Sequence, residues 1–524
     1  MILLLQASVL ARKSLVENNS SVVLALWLLS VQLSAAERIN QEGRILGPQP
    51  VVTEPILFNT TNADAVLSAM QILPVTHPWN EDVSRRPVLP NSDAMIAQII
   101  SDLASNRRTL RAFYEMNFVL APDNQPLVPI EFVDYPDESD LNGGTFPNGL
   151  YPIPANQPIE TWPLETGSLT LEQWQQTDDG SDRHSIVVQP GAGLDWETWR
   201  ALRTGPNWQA ANGAIFNLNS NTLRPDGWTS GDAAGLPMFP ALVRFDECER
   251  GMVEHACRLV VKRTRKQYLY PATHYASTTA ASQTNVPAMG QRLRLKSTFT
   301  IADNWTQEEK AVLRGLKKYG ALVADNGGFF SISVTPDDRW PSGCFDHLSS
   351  IGITNFEVVL STGANESPRS PGAPSAFAGT DFSATPGLPV QLHGVVVPGN
   401  APTTVQWRFY SGAGSVTFAN QNATNATVNF STPGNYTLML SADDGVHAVA
   451  FDAVNVTVTP AIIISIARFG TNLNLRWTAG SPPYIVERAE DFPPRAWSEV
   501  LTTSVENAVL PLSSNSVFFR VTEQ

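Results

Sequence analysis

The sequence predicts a mostly β protein, in which a β-rich N-terminal domain with a few helices precedes two small β-sandwich modules. Three observations lead to this prediction. Short apolar runs recur along the 524 residues, and several of them alternate with polar residues. Proline and glycine, at 39 and 34 residues, divide the chain into short segments. After a linker at 361–376, strand-like runs follow one another at the regular spacing of a β-sandwich.

Composition narrows the range of functions. The length suits about three domains. Only 16% of the residues are charged and the formal net charge is -14, whereas nucleic-acid binding requires concentrated Lys and Arg. We therefore expect no nucleic-acid partner, and we expect a monomer.

Residues 1–36 have the pattern of a signal peptide. Arg12 and Lys13 precede an apolar run, and Ser34 and Ala36 occupy the -3 and -1 positions of a cleavage site. A membrane anchor is the alternative, although the apolar run is short for a span, which needs about 20 residues. We expect a secreted, periplasmic or cell-surface protein with no stable membrane span after signal removal.

The N-terminal domain is predicted at 76–360, after an extended lead-in at 37–75. Helical periodicity predicts a helix over 91–106, and a capping box of Thr306 and Glu309 predicts another that ends at Gly320. Strands are predicted at 184–189, 258–262, 292–301, 321–324 and 329–334, and the last two are expected to pair around a turn at 325–328. In the 292–301 strand, Arg292, Arg294 and Lys296 share one face, which is either solvated or able to meet an acidic polymer.

The region at 377–459 contains Trp407 in a predicted strand, Pro-Gly-Asn-Tyr-Thr-Leu at 433–438 and Asp-Asp-Gly at 443–445. With these features it resembles the PKD and immunoglobulin-like repeats of secreted bacterial proteins, which implies a β-sandwich. Residues 460–524, with "LNLRWTAG" and "YIVERA", are similar to small fibronectin-III-like modules. Residues 76–360, through "HPWNEDVS" and "GWTSGDAAGLP", resemble uncharacterised secreted bacterial proteins, and this resemblance implies no particular activity.

Three cysteines leave the disulfide state open. Cys248 and Cys257 flank a segment that is interpreted as a hairpin turning at Gly251. A disulfide across this hairpin and buried free thiols are the two main alternatives, and Cys344 has no obvious partner.

Residues 212–246 are the strongest candidate for a site, because dense glycine and proline indicate a constrained loop. Asp232 lies between small residues, where burial can raise its pKa toward general-acid use, although it could simply cap a turn. Asp325 at a predicted strand end, Asp182 and His184 are the other candidate catalytic residues. Each has a plainer alternative, a turn for Asp325 and a local ion pair with Arg183 for the other two.

Three further side chains are predicted to bind substrate: Trp228, Arg224 and Trp208. Tryptophan rings stack well on sugars, although core packing is their common alternative role. His184, His255 and His274 could together bind a metal, but their separations follow no ligand spacing. We therefore expect no metal and no cofactor.

No strong catalytic motif is present, since the sequence lacks the nucleophile elbow, the zinc-protease motif, the P-loop and the dinucleotide fingerprint. The leading hypothesis is a secreted carbohydrate-active enzyme, of glycoside hydrolase type, that cleaves an extracellular polysaccharide by carboxylate general acid/base chemistry. A non-catalytic extracellular glycan-binding or surface protein is the alternative, and a His-centred metalloenzyme is the second alternative.

Overall fold

The computed structural model describes residues 37–480, 482–491, 493–511 and 517–523, so the predicted signal peptide lies outside the described residues. The predicted fold class is confirmed, because strands far outnumber helices. The α-helices are α1 Thr61–Ser68, α2 Ser92–Asp102, α3 Leu171–Gln175, α4 Phe245–Arg250 and α5 Gln307–Lys318. No helix among these residues is long and apolar enough to cross a membrane.

Fifteen strands form the region before residue 360. They are β1 Ile56–Leu57, β2 Leu110–Tyr114, β3 Val119–Leu120, β4 Val128–Phe132, β5 Asn148–Tyr151, β6 Ser185–Gln189, β7 Leu194–Trp199, β8 Leu202–Thr204, β9 Asn207–Ala210, β10 Asn212–Asn217, β11 Cys257–Val261, β12 Arg292–Leu295, β13 Ala321–Asn326, β14 Phe330–Val334 and β15 Phe356–Val358. They make a six-stranded sheet of order β15-β12-β13-β11-β14-β2, a five-stranded sheet of order β1-β3-β6-β7-β10 and a four-stranded sheet of order β5-β4-β9-β8.

Both longer helices form where the sequence predicts them. Thr306 caps α5 by accepting from the Glu309 N–H, and the Glu309 side chain accepts from the Thr306 N–H, which completes the capping box. Its apolar stripe is buried, with Val312, Leu313 and Leu316 in the main hydrophobic core. In α2 the apolar stripe is likewise buried, although Asn91 makes no side-chain capping bond.

Three predictions about this region are wrong. The lead-in is not wholly extended, because Thr60 caps α1 through the Ala63 N–H. The strands β13 and β14 do not pair, since β11 lies between them, parallel to β13 and antiparallel to β14. Strand β12 ends at Leu295 and its predicted basic face is not solvated.

Arg292 and Arg294 are buried and satisfied. Arg292 donates to the carbonyls of Pro78 and Tyr319, and Arg294 donates to Val83 O and, at 2.7 Å, to the Glu357 carboxylate. Neither guanidinium is therefore available to an acidic polymer.

Two hydrophobic cores support the first region. The larger one joins α2, α5 and the six-stranded sheet, and includes Trp79 and Phe239. The smaller one lies beside the four-stranded sheet and includes Phe132, Trp196 and Trp208. Because the two cores lie against different faces of the five-stranded sheet, residues that alternate along β7 belong to different environments.

The next nine strands have a separate core. They are β16 Ser375–Phe377, β17 Phe382–Ala384, β18 Val390–Gln391, β19 Val395–Val397, β20 Thr404–Gly412, β21 Val416–Ala419, β22 Thr427–Phe430, β23 Gly434–Asp443 and β24 Ala450–Val458. A sheet of order β17-β24-β23-β20 faces one of order β18-β22-β21. Trp407 and Tyr436 lie at the centre, and the Trp407 indole N–H donates to Thr424 O.

The last six strands form two three-stranded sheets, β25-β26-β29 and β28-β27-β30. Their bounds are β25 Ile463–Phe469, β26 Asn472–Thr478, β27 Tyr484–Ala489, β28 Ser498–Thr503, β29 Asn507–Pro511 and β30 Phe518–Glu523. Trp477 and Tyr484 pack in their shared core.

All three cysteines are free and buried, so the disulfide alternative is wrong. Cys248 lies on helix α4 rather than on a hairpin, and Gly251, at a φ of 88°, ends that helix. A left-handed glycine is the usual end of a helix, which explains why the same residue was interpreted as a turn.

Candidate functional site

A cavity of about 260 Å³ opens where several strand ends meet. Because β6 and β7 are antiparallel, the start of β6 lies beside the end of β7, and the end of β13 reaches the same place. The lining residues are Tyr135, Asp182, His184, Trp199, Thr229, Ser230, Gly231, Ala233, His274, Ala276, Asp325 and Asn326.

His184 is fully hydrogen-bonded at the cavity wall. Its Nδ1 lies 2.9 Å from Glu160 Oε2 and its Nε2 lies 3.0 Å from Gly231 O. Burial alone would lower the pKa of His184, but the Glu160 carboxylate raises it to about 9. The ring is therefore an imidazolium at neutral pH, with both N–H groups donating.

Arg258, at the start of β11, joins two carboxylates. It makes a bidentate contact with Asp232, with both distances 3.1 Å, and its Nη2 lies 2.7 Å from Asp325 Oδ2. Its Nη1 donates to Ser333 Oγ at 3.2 Å. Burial raises the pKa of Asp232 to about 6 although Arg258 opposes the shift. Asp325 is the outer carboxylate, since its side chain is 28% exposed and that of Asp232 only 1%.

A further carboxylate lies behind this pair. Ser333 Oγ donates to Glu115 Oε2 at 2.6 Å, and Arg258 lies 3.8 Å from the same oxygen. Burial raises the pKa of Glu115 to about 7. The inner wall of the cavity is thus a connected network in which carboxylates outnumber cations.

His274 differs from His184. Its Nδ1 donates to Ala233 O at 2.8 Å, and its ring stacks on Tyr275 with an interplanar angle of 1°. Its Nε2 makes no hydrogen bond within the described residues. A histidine whose Nδ1–H is held by a carbonyl presents Nε2 as an acceptor, which is the arrangement of a general base.

An aromatic wall closes the other side of the cavity. The rings of Tyr135 and Trp199 lie 5.9 Å apart at 36°. The Trp199 indole N–H donates to Asp182 Oδ1 at 3.1 Å, which fixes the orientation of the ring. Large apolar faces next to fixed polar groups are typical of sites that hold sugar rings.

The loop at 229–236 is held on several sides. Ser230 Oγ accepts from the Asp232 N–H and donates to Leu236 O, and the Ala234 N–H donates to Ala324 O on β13. Gly235 has a φ of 71°, and a side chain there would clash with Thr273 and with Trp228 O. The dense glycine therefore reflects close packing of this loop.

The structure brings Asp325, Asp182 and His184 together at one cavity, with His274. Asp232 lies directly behind them, so it does not reach the cavity as a catalytic acid would need to. The predicted partner of His184 is also corrected. Its carboxylate is Glu160 rather than Asp182, and the buried Arg183 donates to the carbonyls of Ala201 and Trp174.

The three predicted substrate contacts lie elsewhere. Trp208 is 5% exposed and packs in the smaller core. Arg224 is buried, donates to Asp140 at 2.5 Å and to Thr229 O, and lies over the Trp228 ring at 5.5 Å. None of the three lines the cavity, because each is engaged in holding the scaffold.

The three histidines considered for a metal do not gather. His255 Nε2 lies 3.0 Å from Glu247 and its Nδ1 donates to Ala256 O, away from the cavity that His184 and His274 line. In the described part of the chain no three His, Cys, Asp or Glu side chains form a metal-binding group.

Sequence reasoning missed Glu160, Arg258, Glu115 and Tyr135. Glu160 and Tyr135 fall in loop-like stretches, and Arg258 opens an apolar strand. A charged residue at the head of an otherwise buried strand was the one available signal, because such a charge needs a buried partner.

Comparison with known families gives one match, to a PKD-domain family, over residues 378–458. Residues 378–458 form a PKD domain. Similar solved structures include the PKD domain of human KIAA0319, at 22% identity, and that of the KIAA 1837 protein, at 26%. The matches cover 20% and 19% of this chain and 94% and 91% of those chains, with TM-scores of 0.16 and 0.14. Domains A168–A170 of titin match at 15% identity, 32% and 73% coverage, and a TM-score of 0.17. The search of curated proteins finds no match.

The PKD domain contacts the lead-in and the linker. Arg408 donates to Gly43 O at 2.9 Å, and the Ile45 N–H donates to the Tyr410 hydroxyl at 3.0 Å. In the linker, Ser370 Oγ lies 3.0 Å from His447 Nε2, while His447 Nδ1 lies 2.7 Å from Asp444. These contacts fix the domain at both ends of the preceding chain.

Proposed function

We propose that the chain is a secreted carbohydrate-active enzyme that cleaves a polysaccharide in the cavity lined by Asp182, Trp199, His274 and Asp325. The observation that carries the proposal is the combination of an aromatic wall with two carboxylates and an acceptor imidazole around one cavity. A PKD domain in the same chain is consistent with an extracellular role.

In this mechanism Asp325 is the reacting carboxylate and His274 Nε2 is the proton-transfer group. Arg258 orients Asp325 through the 2.7 Å ion pair, and Asp232 holds Arg258 from behind. Asp232 is thus a positioning residue here. Tyr135 and Trp199 would stack on the sugar, and Asp182 would keep Trp199 in place.

A non-catalytic glycan-binding protein is the second candidate, and one observation favours it. The His184 imidazolium and the Arg258 guanidinium are fully hydrogen-bonded, as they would be in a rigid binding site. The two candidates agree on ligand class and differ in turnover.

A screen of the full chain distinguishes them. The protein is incubated with neutral, acidic and amine-bearing polysaccharides, and reducing ends and binding are both measured. Release of product from one of them supports the enzyme. Tight binding without product supports the second candidate, and the absence of both contradicts the proposed site.

A further inference from the structure

The polysaccharide that suits this cavity can be narrowed by its charge. No lysine or arginine is among the residues that line it. Arg258 lies behind the wall with a 3% exposed side chain, and its donors are taken by Asp232, Asp325 and Ser333. An anionic sugar would therefore meet no free cation there.

The carboxylates of the cavity are only partly balanced. His184 and Glu160 neutralise each other, and Arg258 offsets one of the two aspartates that contact it. Asp182 is exposed and takes part in no ion pair within the described residues; its hydrogen-bond donor is the neutral Trp199 indole. At neutral pH the wall therefore has an excess of negative charge.

The surplus carboxylate lies beside the aromatic wall. Because Asp182 Oδ1 accepts from the Trp199 indole at 3.1 Å, a ring stacked on Trp199 has its edge close to that carboxylate. A protonated amine on the ring would pair with Asp182 and would also be attracted to the faces of Trp199 and Tyr135. A neutral hydroxyl would gain less and a carboxylate would be repelled.

We propose that the substrate is a polysaccharide of amino sugars with free, protonated amines, with Asp182 as the residue that selects for the amine. This rests on the proposed function, since it identifies the substrate class of the same cavity. A lysine-rich peptide also bears amines, but the stacked aromatic wall suits a sugar ring better than a flexible side chain.

The test uses the full chain at slightly acidic pH, with matched hexasaccharides of glucosamine, N-acetylglucosamine and glucose, and with a lysine hexapeptide. We expect glucosamine to bind at least about tenfold more tightly than glucose, which corresponds to about 1.4 kcal/mol. This preference should weaken as salt is added, because Asp182 is exposed.

Asp182→Asn is the decisive variant, because asparagine can still accept from Trp199 while the charge is lost. It should remove the tenfold preference and leave glucose binding unchanged. Asp303→Asn, a charge change at an exposed residue outside the cavity, should alter neither. Equal binding or cleavage of glucose and glucosamine would overturn the inference and leave the proposed function standing. Tighter binding of the lysine peptide would overturn it too, and failure of all sugars would overturn both.

Discussion

His184 Nδ1 lies 2.9 Å from Glu160 Oε2, and this buried pair fixes the histidine that the sequence placed in the site as a charged donor. The Glu160 carboxylate also accepts from the His184 N–H at 3.0 Å. Since both ring nitrogens are engaged, His184 cannot accept a proton from a substrate. Its role is to hold Gly231 and the loop that follows.

The first prediction concerns this pair. Because the pKa of His184 is raised to about 9, its stabilising contribution is complete below the unfolded value of 6.5 and is lost as pH rises through about 9. Glu160→Gln should lower the free energy of unfolding by about 1 to 3 kcal/mol at about pH 6. The deficit should shrink at about pH 10, measured by urea unfolding. Glu172→Gln, at an exposed glutamate, is the control. A deficit independent of pH would contradict the assignment.

The second prediction concerns Arg258. Arg258→Met leaves Asp232 buried beside no cation, and loss of one partner of a buried pair costs about 3 to 5 kcal/mol. Arg263→Met removes a partly exposed pair with Asp102 and should cost about 1 kcal/mol or less. Thermal unfolding of both variants checks this. Equal losses would show that Arg258 does not bear the network.

The third prediction concerns Asp195 and Glu197 on β7, which are both fully buried. Glu197 accepts from the N–H groups of Met238 and Phe239, at 2.7 and 2.9 Å. Burial raises the pKa of Asp195, and raises that of Glu197 to about 7.

Raised carboxyl pKa values favour folding below the unfolded values, about 4, and this stability is lost as pH rises through about 7. Stability should therefore fall by a few kcal/mol between about pH 5 and about pH 8. Glu197→Gln keeps an acceptor for both N–H groups, so it should make that slope shallower in urea unfolding. An unchanged slope would contradict a shared, protonated pair.

The fourth prediction concerns the thiols of Cys248, Cys257 and Cys344. Because all three are free, a reducing agent should leave the melting temperature unchanged, whereas loss of a disulfide typically removes about 2 to 4 kcal/mol. Alkylation followed by mass spectrometry should label three thiols in denaturant and react slowly in the native state. Fewer than three labels without reductant would indicate a disulfide.

Local patterns predicted the parts of the fold that local forces determine. The capping box of Thr306 and Glu309 identified α5, because both of its bonds lie within one helical turn. Asp325 and Asp182 were identified from strand ends and turns, and both line the cavity. By contrast, β11 inserts between β13 and β14, and this depends on long-range pairing that no turn signal specifies.

The charge partners of the site could not be predicted for the same reason. Glu160 lies 24 residues from His184, and Asp325 lies 67 residues from Arg258. The three predicted substrate contacts failed because arginine and tryptophan in loops also serve packing. Arg224, for instance, has all its contacts with its own scaffold.

The central claim is that the cavity at Asp325 acts on a polysaccharide, and the rate of product release by Asp325→Asn tests it most directly. The full chain and the variant are compared on the polysaccharide that the screen identifies, with Asp303→Asn as the matched control. We predict that Asp325→Asn lowers the rate about 100-fold or more while the melting temperature and glycan binding change little. A rate within about twofold of the unmodified chain would contradict the account, because loss of a reacting carboxylate cannot be that small.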